Sequence, residues 1–234
     1  MKIAIVGLGL IGGSLAKTIK KRTGHLCYGL DHDASTLKKA QKVGAINQAV
    51  EPEVLGEMDF TIIALHPRQT IDFLLENAGA FRPGSVVMDV CGVKKAVVDA
   101  VTAPLAEKGV LFVGTHPMAG REFSGFDYAQ EDLFQRASFI ITPVAGTSSA
   151  AVETVKELAT ELGFPKAVSY THLGDTGRST GSLHSTGQYF FAVLIAYSLH
   201  CTGLENGFPG KMAVSGVLRG ERCLHWRDFT EHAD

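Results

Sequence analysis

KIAIVGLGLIGGSL, residues 2–15, is the stretch that decides the fold of this chain. The apolar run at residues 3–6 predicts a short strand buried on both faces, and the residues after Gly12 predict an α-helix. The glycines between them fit the pattern G-x-G-x-x-G. Gly7 permits a tight turn, Gly9 lets the backbone approach a pyrophosphate, and Gly12 lets the helix pack closely. We therefore predict a dinucleotide site at the helix N-terminus, formed by Gly7, Gly9, Leu10, Ile11 and Gly12.

An acidic residue stands where such a site requires one. Asp31 ends a second apolar run, residues 26–30. A carboxylate there accepts hydrogen bonds from both adenosine ribose hydroxyls and repels a 2′-phosphate, which predicts NAD rather than NADP as cofactor. The competing interpretation is a buried N-terminal strand followed by an incidental glycine turn.

Composition narrows the class of protein. Lys and Arg number 22 against 24 Asp and Glu, for a net charge of −2, so no basic surface indicates nucleic acid or an anionic membrane as partner. The first residues lack a basic region and a cleavage site, and the most apolar later stretch, residues 189–199, is too short to span a bilayer. The four cysteines (Cys27, Cys91, Cys201 and Cys223) have no metal-type spacing. We expect a cytoplasmic protein with reduced thiols and no metal.

Strand-like and helix-like segments alternate along the chain. Apolar runs at residues 59–65, 85–90, 110–113, 139–142 and 166–169 are separated mainly by helical patterns. This alternation predicts an α/β fold with a doubly wound, mostly parallel sheet of the Rossmann type. We place this domain at residues 1–168 and a small, mainly helical domain at residues 169–234.

In such a sheet the ligand lies outside the carboxyl ends of the strands. His116 follows the run at residues 110–113, in a glycine-rich segment that we predict to be a loop. Its ordinary pKa lies near neutrality, so it is a candidate base; the alternative is a loop histidine bonded to nearby backbone. His66, before Pro67, either lines the cofactor cleft or forms a structural turn.

Three motifs resemble the prephenate/arogenate dehydrogenase family. They are GLGLIGGSLA at residues 7–16, DVCGVK at residues 89–94, and GTHPMAG at residues 114–120, the last followed by Glu122 and Ser124-Gly125. The resemblance implies an NAD(P)-dependent oxidative decarboxylation of prephenate to 4-hydroxyphenylpyruvate, or of arogenate to tyrosine, in tyrosine biosynthesis. It also implies a homodimer.

The resemblance assigns roles to single residues. His116 matches the catalytic histidine, and Glu122 matches an acidic residue near the substrate carboxylates in some members, although an exposed loop carboxylate is an equal alternative. Gly92 stands where many relatives have a serine that contacts substrate or nicotinamide; the side-chain contact is lost there, although backbone N–H donors can remain. We expect Lys94 to cap a helix or neutralise charge at its start.

The resemblance weakens beyond residue 170. His172 and His184 keep the family's twelve-residue spacing, and Arg219 is the nearest match to the arginine that grips a substrate carboxylate. The glycines between residues 170 and 188 predict an irregular stretch there, followed by a helix at residues 188–199. The resemblance makes all three residues candidates for substrate binding. If the stretch is irregular, however, the two histidines do not share a helix face, and we do not expect them to contact the substrate as the family's residues do.

Two other functions remain open from the sequence. One is an NAD-linked hydroxyacid dehydrogenase of the 6-phosphogluconate-like type, which would use a lysine base in the helical domain; Lys211 is the only lysine after Lys166. The other is a non-catalytic NAD-binding module. The sequence does not separate prephenate from arogenate as substrate.

Overall fold

A computed structural model describes residues 1–169. Apart from its first residue, Ser169, the expected helical domain lies outside the described residues, and so do His172, His184, Arg219, the irregular stretch and the helix at residues 188–199. The described part contains eight strands and five helices. The strands are β1 Lys2–Val6, β2 Leu26–Leu30, β3 Gln48–Ala49, β4 Phe60–Ile63, β5 Val86–Asp89, β6 Leu111–Pro117, β7 Ser138–Thr142 and β8 Lys166–Ser169. The helices are α1 Leu10–Arg22, α2 Ala34–Lys42, α3 Pro67–Glu76, α4 Lys94–Glu107 and α5 Ser149–Glu161, with short 3₁₀ turns at Pro52–Glu57 and Phe126–Tyr128.

All eight strands form one sheet in the order β3-β2-β1-β4-β5-β6-β7-β8. The chain moves outward from β1 through β2 to β3, and then crosses back to β4 on the other side of β1. This reversal creates a crevice at the carboxyl ends of β1 and β4, where open α/β sheets bind their ligands. The predicted Rossmann-type, mostly parallel sheet is confirmed.

The expectation of a loop at His116 was wrong. Strand β6 extends through Thr115, His116 and Pro117, because β7 returns antiparallel to it, with His116 opposite Ile140. The β6–β7 pair is antiparallel, whereas the other strand pairs of the sheet are parallel. The local sequence, which is polar and contains a proline, does not indicate a strand there; pairing with a segment more than twenty residues away creates it.

Both faces of the sheet are covered. Ile3 and Ile5 of β1 belong to one apolar cluster, with Leu15 of α1 and Val155 of α5. Ala4 and Val6 face the opposite cluster, which contains residues of α3 and α4. An apolar run without alternation is what a strand between two helical layers requires. In residues 1–169 no helix is long and apolar enough to cross a membrane.

Candidate active site

The glycine-rich turn after β1 has the geometry that its pattern predicts. Gly7 has φ +88° and donates its N–H to the Leu30 carbonyl at 2.8 Å. A Cβ on Gly12 would lie 1.9 Å from the Gly7 oxygen, so the start of α1 packs directly on the turn. A Cβ on Gly9 would meet nothing within 4 Å. Gly7 is thus required by its positive φ and Gly12 by packing, while Gly9, the N-cap of α1, leaves open space outside the backbone.

Asp31 connects the end of β2 to this turn. One carboxylate oxygen accepts the Leu8 N–H at 2.6 Å, and the other accepts the Asp33 N–H at 2.9 Å. Its side chain is 9% exposed and contacts the exposed His32 imidazole at 3.2 Å. A carboxylate has about four acceptor positions, so these contacts leave capacity for ribose hydroxyls. Asp31 therefore orders the glycine turn besides being available to a ligand.

His116 lies near the carboxyl end of the parallel strands. Its ring is half-buried, and Nδ1 is 3.3 Å from the carbonyl oxygen of Val90, which follows β5. The pKa of His116 is lowered to about 4, first by burial and then by the nearby Lys94 ammonium, while the Val90 carbonyl and Asp89 raise it by less. The imidazole is consequently neutral at pH 7 and has a ring nitrogen that can accept a proton.

A buried ion pair lies behind this histidine. Asp89, the last residue of β5, is fully buried and pairs with the ammonium of Lys94, the first residue of α4. The same carboxylate accepts the N–H groups of Cys91 at 3.0 Å and Thr115 at 3.3 Å. In return, the Thr115 hydroxyl donates to the Asp89 carbonyl at 2.5 Å. Lys94 therefore neutralises a strand carboxylate, rather than charge at the start of its own helix.

Asp89 and Thr115 belong to two of the sequence motifs, but the sequence predicted no role for either residue. The available signal was a charged residue at the end of the apolar run 85–90, since an aspartate in a buried strand needs a partner. The partner and the link to His116 could not be read from the spacing.

The connection between β6 and β7 is anchored on α1. The Lys17 ammonium donates to the Ala129 carbonyl at 2.7 Å, and the Ser14 hydroxyl accepts the Gln130 N–H at 2.9 Å. Lys17 also lies over the ring of Phe126, 4.8 Å from its centroid. The helix that follows the glycine turn thus holds the segment that follows His116, an arrangement that the sequence did not predict.

The remaining predicted site residues occupy different positions. His66 precedes α3 and is exposed, and its carbonyl accepts the Thr70 N–H at 2.8 Å. Gly92 is half-buried between β5 and α4, and Glu122 is exposed in the connection after β6. The carboxyl ends of β1, β2, β4, β5 and β6 lie along the same edge of the sheet. Glu122 is not on a strand; it comes five residues after the last residue of β6. The contacts that these residues make with ligands stay predictions.

Comparison with known proteins places this site in a family. Residues 15–167 match the family described as "Prephenate dehydrogenase, nucleotide-binding domain". Prephenate dehydrogenase from Bacillus subtilis (strain 168) is 38% identical over 243 residues, covering 98% of this chain and 63% of that protein. The chain thus spans less than two thirds of that relative's length.

Solved structures share the fold. Arogenate dehydrogenase from Synechocystis is 30% identical with a TM-score of 0.67, covering 73% of this chain and 60% of that one. Prephenate dehydrogenase from Aquifex aeolicus, in complex with hydroxyphenyl propionate and NAD⁺, has the same TM-score at 24% identity, covering 89% of this chain and 71% of that one. The second likeness concerns the fold alone. With the family's nucleotide-binding domain matched over residues 15–167, this chain belongs to the prephenate dehydrogenase family.

Proposed function

We propose that this chain catalyses the NAD-dependent oxidative decarboxylation of prephenate or arogenate in tyrosine biosynthesis. The observation that carries the proposal is the neutral, half-buried His116 at the ligand edge of a dinucleotide-type sheet. The names of the relatives from Bacillus subtilis and Synechocystis support the same reaction.

The described residues fit a dinucleotide. The open space outside Gly9, together with the N–H groups at the start of α1, suits a pyrophosphate. Asp31 suits the adenosine ribose, because its carboxylate retains acceptor capacity. His66 and Gly92 are proposed to line the same cleft. NAD bound there would supply the acceptor for the hydride that leaves the ring carbon bearing the hydroxyl.

The chain's own contribution is proton transfer and orientation. With Nδ1–H donating to the Val90 carbonyl, the lone pair of His116 lies on Nε2. Nε2 then takes the substrate hydroxyl proton as the C–H bond breaks and the carbonyl forms. The electrons of the C–CO₂ bond next enter the ring, carbon dioxide leaves, and the aromatic product regains a proton on its oxygen.

A pKa of about 4 makes His116 a weak base in the free protein. A dianionic substrate placed beside the imidazole would favour its protonated form and raise that pKa. The same negative charge would therefore strengthen the base when the substrate is present.

Kinetics with the purified full chain test this function. NADH formation is followed with NAD and either prephenate or arogenate, in the wild type and in His116→Asn. We expect turnover of one substrate and a kcat lowered 10²-fold or more in the variant, on the order expected for loss of a general base, with NAD affinity unchanged. His25→Asn is the control. His25 directly precedes β2, at the amino ends of the parallel strands, and its ring bonds Glu161 of α5.

The alternative outcomes are distinct. A wild-type kcat in His116→Asn would remove the histidine from catalysis. NAD binding without turnover of either substrate would favour a non-catalytic module. Turnover of simple hydroxy acids instead would favour the 6-phosphogluconate-like alternative.

Further parts of the proposal concern the rest of the protein. We propose that residues 170–234 form the helical domain, in which Arg219 contacts the substrate together with Glu122. With an irregular stretch at residues 170–188, His172 and His184 would not contact the substrate as the family's residues do. We also propose a cytoplasmic homodimer. The family resemblance supports the dimer, and light scattering of the purified chain would test it.

The free, buried thiols of Cys27 and Cys91, whose pKa values burial raises to about 12, suit a reducing compartment.

A further inference from the structure

We propose that Asp89, held by Lys94, is a positioning residue for His116. The inference rests on the proposed function, since it assumes that His116 is the base. Asp89 acts through Thr115, the residue directly before the histidine, and through Val90, the residue directly after Asp89.

Asp89 holds the backbone directly before the histidine and adjoins the carbonyl that its ring faces. Its carboxylate accepts the N–H of Thr115, the residue directly before His116, and its carbonyl accepts the Thr115 hydroxyl at 2.5 Å. Val90, directly after Asp89, supplies the carbonyl that faces Nδ1 of the ring at 3.3 Å. One residue thus contacts the strand that carries the ring and directly precedes the residue that supplies the ring's hydrogen-bond acceptor.

The Lys94 ammonium pairs with the buried Asp89 carboxylate and holds its orientation. An isolated buried carboxylate would pay a large desolvation cost, and the ammonium offsets it. The room for the lysine stem is built into the fold: a Cβ on Gly114 would lie 3.0 Å from the Lys94 Cδ and 3.0 Å from Val98. A side chain at position 114 would therefore press on the lysine that holds Asp89.

The pair also sets the charge environment of the ring. Within residues 1–169, the charged groups that act on the His116 pKa are Lys94 of α4 and Asp89 of β5. The lysine lowers that pKa more than the aspartate raises it, and desolvation by burial exceeds both. Removing both charges together should therefore raise the pKa of the histidine.

The first test replaces the pair with neutral residues of similar size in the full chain, as Asp89→Asn with Lys94→Met. An amide cannot accept every N–H that the carboxylate accepts, so Thr115 or Cys91 loses its partner. We expect kcat to fall on the order of 10-fold or more, since small displacements of a catalytic group are costly. NAD affinity should stay within about twofold, because the glycine turn is untouched.

A matched control lies on the same helix. Lys95 and Asp99 form an exposed pair at 2.7 Å, so Lys95→Met with Asp99→Asn removes the same two charges away from the site. We expect that double variant to keep the wild-type kcat. A wild-type kcat in the Asp89/Lys94 double variant, even with a lowered Tm, would overturn the proposal and leave the pair a purely structural role.

A milder pair of variants keeps the proposal testable if the buried double variant fails to fold. Thr115→Val keeps the side-chain shape but loses the hydroxyl that donates to the Asp89 carbonyl. We expect a lower kcat with KM little changed, and recovery in Thr115→Ser. Equal kcat in the valine and serine variants would contradict the proposed coupling.

Proton NMR of His116 separates this inference from the proposed function. If the wild type turns over neither substrate, the proposed function fails, and the inference is judged on the NMR signals of the ring alone. A raised pKa in the Asp89/Lys94 double variant supports the coupling, because Lys94 lowers the pKa more than Asp89 raises it. If that variant does not fold, ring-proton shifts that change in Thr115→Val and return in Thr115→Ser support the coupling. An unchanged pKa in the first case, or unchanged shifts in the second, overturns it.

Discussion

His116 should make the folding stability of this protein sensitive to mild acid. Its pKa of about 4 in the folded protein lies below the ordinary value of 6.5. The unfolded chain therefore binds more protons than the folded chain between these two pH values. The stabilisation is fully present above pH 6.5, and it is lost progressively as the pH falls towards 4.

The magnitude follows from the difference between the two pKa values. It corresponds to about 3 kcal/mol of unfolding free energy, a large share of the 5–15 kcal/mol typical of a domain. The aspartates with lowered pKa values, Asp33 and Asp59, act below this range, since their stabilisation is lost only below their ordinary value of 3.8.

Urea unfolding of the full chain between pH 7 and pH 4 measures the effect. The wild type should lose stability on the order of 1 kcal/mol per pH unit in this interval, and His116→Asn should lose correspondingly less. His32→Asn is the control, because that side chain is 96% exposed. Parallel stability curves for the wild type and His116→Asn would refute the assignment of a buried, neutral imidazole.

The nucleotide site gives two further predictions. Asp31→Ala should weaken NAD binding by about 1–3 kcal/mol and reduce discrimination against NADP, as titration calorimetry with both cofactors would measure. Asp33→Ala, which removes the cap of α2, should leave both affinities unchanged; equal affinities in the Asp31 variant and the wild type would contradict the role. Gly12→Ala should abolish NAD binding and lower Tm, because its Cβ would lie 1.9 Å from the Gly7 oxygen, whereas Gly24→Ala meets nothing within 4 Å. A Gly12 variant that binds NAD normally would show that the turn can yield.

The glycine turn was predictable because its causes are local. Gly7 needs a positive φ and Gly12 needs the absence of a Cβ, and both needs arise within a few residues of one another. The unbroken apolar run of β1 likewise predicts a strand that is covered on both faces, as it is in the structure. Each position accepts only one kind of residue, glycine in the turn and apolar residues in β1, so the requirement can be recognised in the sequence.

The start of the first helix shows the limit of such patterns. The sequence indicated a helix beginning near Gly12, whereas α1 begins at Leu10 with Gly9 as its N-cap. The N-terminal N–H groups of a helix need no side-chain signal when a ligand or solvent can accept them. The sequence pattern therefore predicted helix α1 but not the residue at which it begins.

By itself, the sequence determined the alternation of strands and helices, the dinucleotide turn, and the histidine to examine. The tertiary structure decided that His116 lies on a strand, that Lys94 pairs with Asp89, and that Thr115 links this pair to the ring. It also decided that α1 holds the connection after β6, through Ser14 and Gln130, which are 116 positions apart. These contacts join segments that are distant in the chain, and their partners are chosen by the order of strands in the sheet and by burial. No local pattern carries that information, because each residue's environment exists only once the sheet has formed.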